Sequence, residues 1–125
     1  MPGSAEQFSI LLADDDPQTH LLLREILNEE KYNLYSVKNG KEVLKLIGHF
    51  GYDLLILDVS LPDIDGYLLA KKISRNISNK PPILLFTVND MPLEQESFRK
   101  SGADAIMQKG VSVDEIKKVV DKLLK

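Results

Sequence analysis

Short apolar runs alternate with longer segments of helical period along the whole chain, and that rhythm leaves few folds open. Phe8 to Ala13 (FSILLA) is predicted as a buried strand. Asp16-Pro17 then supplies an N-cap and a first-turn proline for helix one, with Leu22, Leu23, Ile26 and Leu27 on one side. Asn33 to Val37 is a shorter, more polar strand of the edge type, and Asn39-Gly40 opens a second helix carrying Val43, Leu44, Leu46 and Ile47. Asp53 to Leu57 is apolar after its first residue, as suits a central strand covered on both faces, and Asp58 stands at its C-terminal end. The loop SLPDIDG leads to a third helix, roughly Tyr67 to Arg75, and Pro81-Pro82 start a fourth strand, Ile83 to Thr87. A Pro92-initiated helix runs to about Lys100 with Gly102 as its stop, and Ala103 to Gln108 makes a fifth strand. Ser112 and Glu115 form a capping box ahead of the stripe Ile116, Val119, Val120, Leu123, Leu124.

Strand-helix units in this succession, without a long linker or repeat, require a mostly parallel sheet with helices on both faces, a doubly wound α/β fold. A chain of 125 residues buries roughly two-thirds of its unfolded surface, so this is expected to be one self-sufficient domain over 8–125. Residues 1–7 are expected to be a tail, its MPGS start partly a cloning remnant. The absence of cysteine excludes thiol catalysis, zinc-thiolate sites and disulfide scaffolds. With 16 Lys+Arg against 19 Asp+Glu and a net charge of -3, direct nucleic-acid binding is not expected. No apolar run approaches the ~20 residues of a membrane span, and the start lacks the parts of a signal peptide, so the expected location is the cytoplasm.

In a doubly wound sheet ligands bind outside the strand C-termini, where the winding reverses. The residues that end the strands there are Asp14, Asp15, Asp58, Thr87 and Lys109. Two carboxylates ~5 Å apart repel by about 3 kcal/mol at an effective dielectric near 20, so three of them call for a cation. A hard divalent ion, Mg²⁺ for preference, suits an all-oxygen site. Three carboxylates are then balanced by the ion and Lys109, and ion, Lys109 and the Thr87 hydroxyl together suit the oxygens of a phosphoryl group. Each residue has a plainer reading alone: Asp16 as an N-cap, the Asp pair as caps, Thr87 as a β-branched strand end, Lys109 as a solvated charge. Their joint occurrence at four strand ends favours the site.

These residues lie in segments that carry a resemblance. ILLADDDP (10–17), NGKEVLKLI (39–47), YDLLILDVSLPDIDGYLL (52–69), PPILLFT (81–87) and SGADAIMQK (101–109) together make the chain similar to the receiver domain of two-component response regulators, the CheY-like family. The resemblance implies a flavodoxin-like, five-stranded parallel sheet of order 2-1-3-4-5 with five helices. It implies Asp58 as phosphoacceptor, Asp15 as a direct ligand of Mg²⁺ or Mn²⁺, Asp14 as holder of metal-bound water, and the Ser60 backbone carbonyl as a further ligand. Thr87 and Lys109 become phosphoryl-contacting residues, and Ile106 occupies the switch position. The implied partners are a sensor histidine kinase or phosphotransfer protein, and a downstream effector or a linked output domain outside this chain. The output face would comprise helix four, strand five and helix five. The domain is expected to be regulatory, with at most a weak autophosphatase activity.

Departures from the family pattern are specific. Ile106 stands where Tyr or Phe is usual, Gly110 where a cis proline follows the lysine, bulky Val88 where a small residue follows the switch hydroxyl, and His20 where an arginine is frequent. They give some weight to a phosphorylation-independent interaction module. A metal-dependent phosphohydrolase is weaker, because Ser60 replaces the second Asp of that pattern. Helix four, MPLEQESFRK, has little apolar face beyond Met91, Leu93 and Phe98 and is expected to be the loosest element and the most responsive to phosphorylation. Gly40-Lys41 is no P-loop, the Asp63–Gly66 stretch is no calcium loop, and His20 and His49 are expected to be ordinary surface or boundary residues. The lysines of the last helix are adequately explained as a solvated face.

Overall fold

The computed structural model describes residues 7–124, so all but Gln7 of the expected tail lies outside the described residues. Five strands, β1 (Phe8–Ala13), β2 (Tyr32–Val37), β3 (Leu54–Asp58), β4 (Ile83–Thr87) and β5 (Ala105–Gln108), alternate with α1 (Pro17–Ile26), α2 (Gly40–Ile47), α3 (Gly66–Asn76), α4 (Met91–Ser101) and α5 (Val113–Leu123). All neighbouring strands pair in parallel, in the order β2-β1-β3-β4-β5. The winding therefore reverses between β1 and β3, and the crevice of the fold opens beyond their C-terminal ends.

Alternation along the strands divides the core in two. Ile10, Leu12, Leu54, Ile56, Leu84 and Phe86 face Leu23 and Ile26 of α1 and Ile116 and Val120 of α5. Leu11, Leu55, Leu57, Ile83 and Leu85 face Val43 of α2 and Leu69 and Ile73 of α3. Each fully buried Leu or Ile contributes roughly 2 kcal/mol of hydrophobic stabilisation, so β1, β3 and β4, apolar on both faces, form the rigid centre. Leu22 is 40% exposed rather than part of the α1 stripe, and Leu44 of α2 also faces outward. The buried positions of α1 are Thr19, Leu23 and Ile26, spaced by four and three, which rotates Leu22 off the contact.

Helix boundaries follow the capping residues. Asp16 accepts the Gln18 N–H, Asn39 the Glu42 N–H, Asp65 the Tyr67 and Leu68 N–H groups, and Ser112 the Glu115 N–H. Gly102 ends α4 at φ +79. Two acids do work that the sequence pattern does not suggest: Asp53 accepts the Ser9 N–H at 2.7 Å and Asp104 the Ile83 N–H at 2.8 Å, each taking up a backbone donor at the entry to a neighbouring strand. Strand β5 consequently begins at Ala105, two residues later than its apolar run suggests. Helix α4 differs from the others in having no side-chain N-cap bond, and no apolar side chain described on it is fully buried; Leu93 is 79% exposed and only Phe98 packs against the core. The side chain of Met91 lies outside the described residues.

The end of β3 is locked from behind by α3. The Gly66 amide donates to Val59 O at 2.8 Å, and a Cβ on Gly66 would fall 2.4 Å from Asp58 O and 2.7 Å from Val59 Cα. All of these are backbone atoms of Asp58 and Val59, with no flexible side chain to yield. Gly66→Ala is expected to lower unfolding stability by roughly 2 kcal/mol, whereas Gly51→Ala, where nothing lies within 4 Å, should change it by less than about 0.5 kcal/mol. Urea denaturation of both variants checks the contrast.

Candidate functional site

At the C-terminal edge of the sheet, the chain leaves β1 at Asp14 and Asp15, ends β3 on Asp58, ends β4 on Thr87 and leaves β5 at Lys109. Parallel pairing puts these ends side by side: the Asp14 amide donates to Val37 O at 3.2 Å, and the Lys109 amide to Thr87 O at 2.7 Å. One carboxylate oxygen each from Asp14, Asp15 and Asp58 lie within 4.8 Å of one another. Asp14 is fully buried, Asp58 is nearly so, and Asp15 is exposed, so the cluster has a closed floor and one open side.

Lys109 Nζ lies 2.7 Å from Asp14 Oδ2 and 3.5 Å from Asp58 Oδ1. Apart from this ion pair, buried Asp14 Oδ2 has no partner, so the ammonium is what offsets its charge. Asp14 Oδ1 accepts the Asp16 N–H at 2.9 Å, and Asp58 Oδ1 accepts the Ser60 N–H at 3.3 Å. Burial first, and the Asp14 charge second, push the Asp58 carboxyl above its ordinary range, with Lys109 and the Ser60 N–H pulling the other way. Burial opposes charge on Lys109, but the contact with Asp14 and the field of both acids outweigh it and raise its pKa. The cluster is thus under-neutralised by its single lysine. Three carboxylate oxygens this close together, with one ammonium beside them, fit a hard divalent cation.

The remaining candidate positions are equally definite. Ser60 is exposed, two residues beyond Asp58, in an isolated bridge with Asp65. Thr87 is buried, and its hydroxyl donates to Glu94 Oε1 at 3.1 Å while accepting the Asn89 N–H at 3.0 Å. Ile106 is half-buried and packs with the α2–α3 side of the core. Gly110 turns the chain after Lys109 at φ +100, a left-handed conformation that residues with a side chain rarely adopt. Val88 is exposed and lines, with Leu22 and Lys109, a cleft of about 550 Å³.

His20 and Glu94 carry more than their sequence positions suggest. His20 Nε2 lies 2.5 Å from the Asp14 backbone oxygen, so the imidazole holds the loop that bears two of the acids. A single histidine in a helix gives no sequence signal for that contact. Glu94 reads as an acid complementing the start of α4; only the fold brings its carboxylate to Thr87, Asn89 and Tyr67.

The sequence model of the response regulator receiver domain matches residues 10–121. The chain belongs to that family. Among relatives of this receiver domain is the sensor protein EvgS of Escherichia coli K12, 35% identical over 112 residues, which are 90% of this chain and 9% of that protein. Another is sporulation initiation phosphotransferase F of Bacillus subtilis, 30% identical over 115 residues and 92% of each chain. The crystal structure of a response regulator from Thermotoga maritima, in complex with Mg²⁺ and BeF, is 36% identical with a TM-score of 0.83, over 94% of this chain and all of that one. The receiver domain thus spans about a tenth of the sensor proteins it matches and nearly the whole of smaller relatives. The five-stranded order 2-1-3-4-5 agrees with the family's fold. Among the described residues no helix is long and apolar enough to cross a membrane.

Because the raised pKa of Asp58 means that its charge opposes folding, the sign of its pH effect is fixed. The native state holds this proton more tightly than the unfolded chain, so stability falls as pH rises from the ordinary carboxylate range through the native value. Without added metal, Asp58→Asn should therefore be more stable than the parent near neutral pH, by on the order of 1 kcal/mol. The gain should vanish in acid, where the parent carboxyl is protonated; thermal melts across pH 3.5 to 7.5, roughly the window of carboxylate titration, test it.

Proposed function

We propose that this receiver domain is a phosphoacceptor switch that takes a phosphoryl group onto Asp58 from a phosphohistidine of a sensor kinase or phosphotransfer protein. The observation that carries the reading is the convergence of Asp14, Asp15 and Asp58, with Lys109 against two of them, at the end of the sheet where Thr87 also stops. Membership in the receiver family and the Mg²⁺–BeF complex of the Thermotoga relative support it.

Asp15, Asp58 and the Ser60 carbonyl would hold Mg²⁺ or Mn²⁺, with Asp14 holding metal-bound water. The ion supplies charge neutralisation at the phosphoryl oxygens. A carboxylate oxygen of Asp58 forms the bond to phosphorus as the phosphorus–nitrogen bond of the donor histidine breaks, and the imidazole departs with the bonding pair and takes a proton from solvent. Lys109 offers its ammonium to one phosphoryl oxygen and the Thr87 hydroxyl serves another. Position and electrostatics supply most of the catalysis, since little charge develops on the protein itself. Water attack on the acyl phosphate later restores Asp58, a weak autophosphatase reaction that resets the switch. The added negative charge biases the segment after Thr87, and through it the face made by α4, β5 and α5 toward an effector or a linked output domain.

A second reading, a module that binds partners regardless of phosphorylation, draws on Ile106, a half-buried aliphatic side chain where the family usually has an aromatic. Incubation with acetyl phosphate and Mg²⁺ followed by intact mass separates the two. The parent should gain one phosphate and Asp58→Asn none. Absence of any gain in the parent with both acetyl phosphate and phosphoramidate, or an equal gain in the variant, would overturn the phosphoacceptor reading.

A further inference from the structure

Four polar side chains meet at the start of α4 and carry a consequence for Thr87. Glu94 Oε1 accepts from the Tyr67 hydroxyl at 2.7 Å, the Thr87 hydroxyl at 3.1 Å and Asn89 Nδ2 at 3.3 Å. Tyr67 belongs to the first turn of α3, Thr87 ends β4, and Asn89 lies in the β4–α4 loop, so one carboxylate oxygen ties three segments together. The environment fits a fully charged Glu94: the Tyr67 hydrogen bond, ahead of those from Asn89 and Thr87, draws its pKa down despite partial burial. Burial first, and the hydrogen bond to Glu94 second, hold Tyr67 in its protonated, donating form. The connection replaces what α4 otherwise lacks, since the helix has neither a side-chain N-cap nor a fully buried apolar residue among those described.

A threonine hydroxyl has one proton to donate. In this structure that proton goes to Glu94, while the oxygen lone pairs face the Asn89 N–H. Donation to a phosphoryl oxygen on Asp58 therefore requires the bond to Glu94 to break. We propose that Glu94 is a positioning residue that holds the Thr87 hydroxyl away from the phosphoryl site, so that phosphorylation and the Tyr67–Glu94 anchor of α4 compete for one proton. The inference rests on the reading of Thr87 as a phosphoryl contact and adds the competitor, the side chain that must be released, and the helix that feels the release. It also gives this domain a route from Thr87 to α4 that does not use Ile106, which is half-buried against the α2–α3 side of the core. Once Thr87 has turned away, Glu94 keeps Tyr67 and Asn89 but loses the link to β4, and the first turn of α4 is freed from the sheet.

The test is beryllofluoride binding in the presence of Mg²⁺, measured by calorimetry on the parent, Glu94→Ala, Glu94→Gln, Thr87→Val and the double variant Glu94→Ala/Thr87→Val. Loss of a hydrogen bond to a charged acceptor should let Glu94→Ala bind roughly tenfold more tightly, with Glu94→Gln showing a smaller gain in the same direction. The gain should disappear in the Thr87→Val background, which a merely structural loosening of α4 would not produce. An unchanged or weakened affinity in both Glu94 variants, with Thr87→Val still impaired, overturns the competition while leaving Thr87 as a phosphoryl contact. An equal gain with and without Thr87 also overturns it. Parent-like affinity in Thr87→Val removes the underlying reading of Thr87 and the inference with it.

Discussion

The buried ion pair between Lys109 and Asp14, with Asp58 beside it, is the constraint on which the rest of this structure turns. Like charges collected in a site of low dielectric repel strongly, and a single ammonium offsets only part of that repulsion. The molecule holds the arrangement by making everything behind it rigid. β1, β3 and β4 are apolar on both faces, the Gly66 amide fastens α3 to the end of β3, and Gly110 turns the chain immediately after the lysine. Stability bound up in the core is thus spent on keeping an unfavourable charge cluster in place, as expected where a site is organised for a ligand that brings compensating charge.

The two ends of the sheet differ in kind. At the N-terminal end, carboxylates of Asp53 and Asp104 satisfy backbone N–H groups of Ser9 and Ile83, and their charge is used locally. At the C-terminal end the acids face one another and a lysine instead. Away from the crevice, Tyr32 donates to Asp121 and Lys117 pairs with Glu29, so two side chains of α5 close the protein over the α1–β2 region. Helix α5 is thereby tied by apolar and polar contacts, whereas α4 relies on Glu94 and Phe98.

Much of this was legible in the sequence because the signals are local. Apolar runs of four or more mark β1, β3 and β4, and Asp16, Asn39 and Ser112 announce their helices by capping chemistry that depends on neighbouring residues only. The grouping of Asp14, Asp15, Asp58, Thr87 and Lys109 was legible for a topological reason, since parallel strands bring their C-termini to one edge. What escaped was set by contacts distant in sequence. Leu22 and Leu44 fit the helical period but turn outward, because the buried stripe is narrower than the apolar pattern. His20 appears unremarkable until the loop after β1 curls over it, and Glu94 resembles a routine first-turn acid until α3 and β4 supply its partners. Strand β5 starts late because Asp104 uses its side chain at the place where a ladder would begin.

The proposed switch requires these carboxylates to share a divalent cation at the end of the sheet. Magnesium titration followed by amide NMR tests it most directly. Shared coordination should give saturable shifts at Asp15, Asp58 and Ser60 in roughly the millimolar range, with Asp15→Asn weakening the binding by about tenfold or more. Amide spectra indifferent to magnesium at millimolar concentration, or shifts that survive Asp15→Asn unchanged, would contradict it.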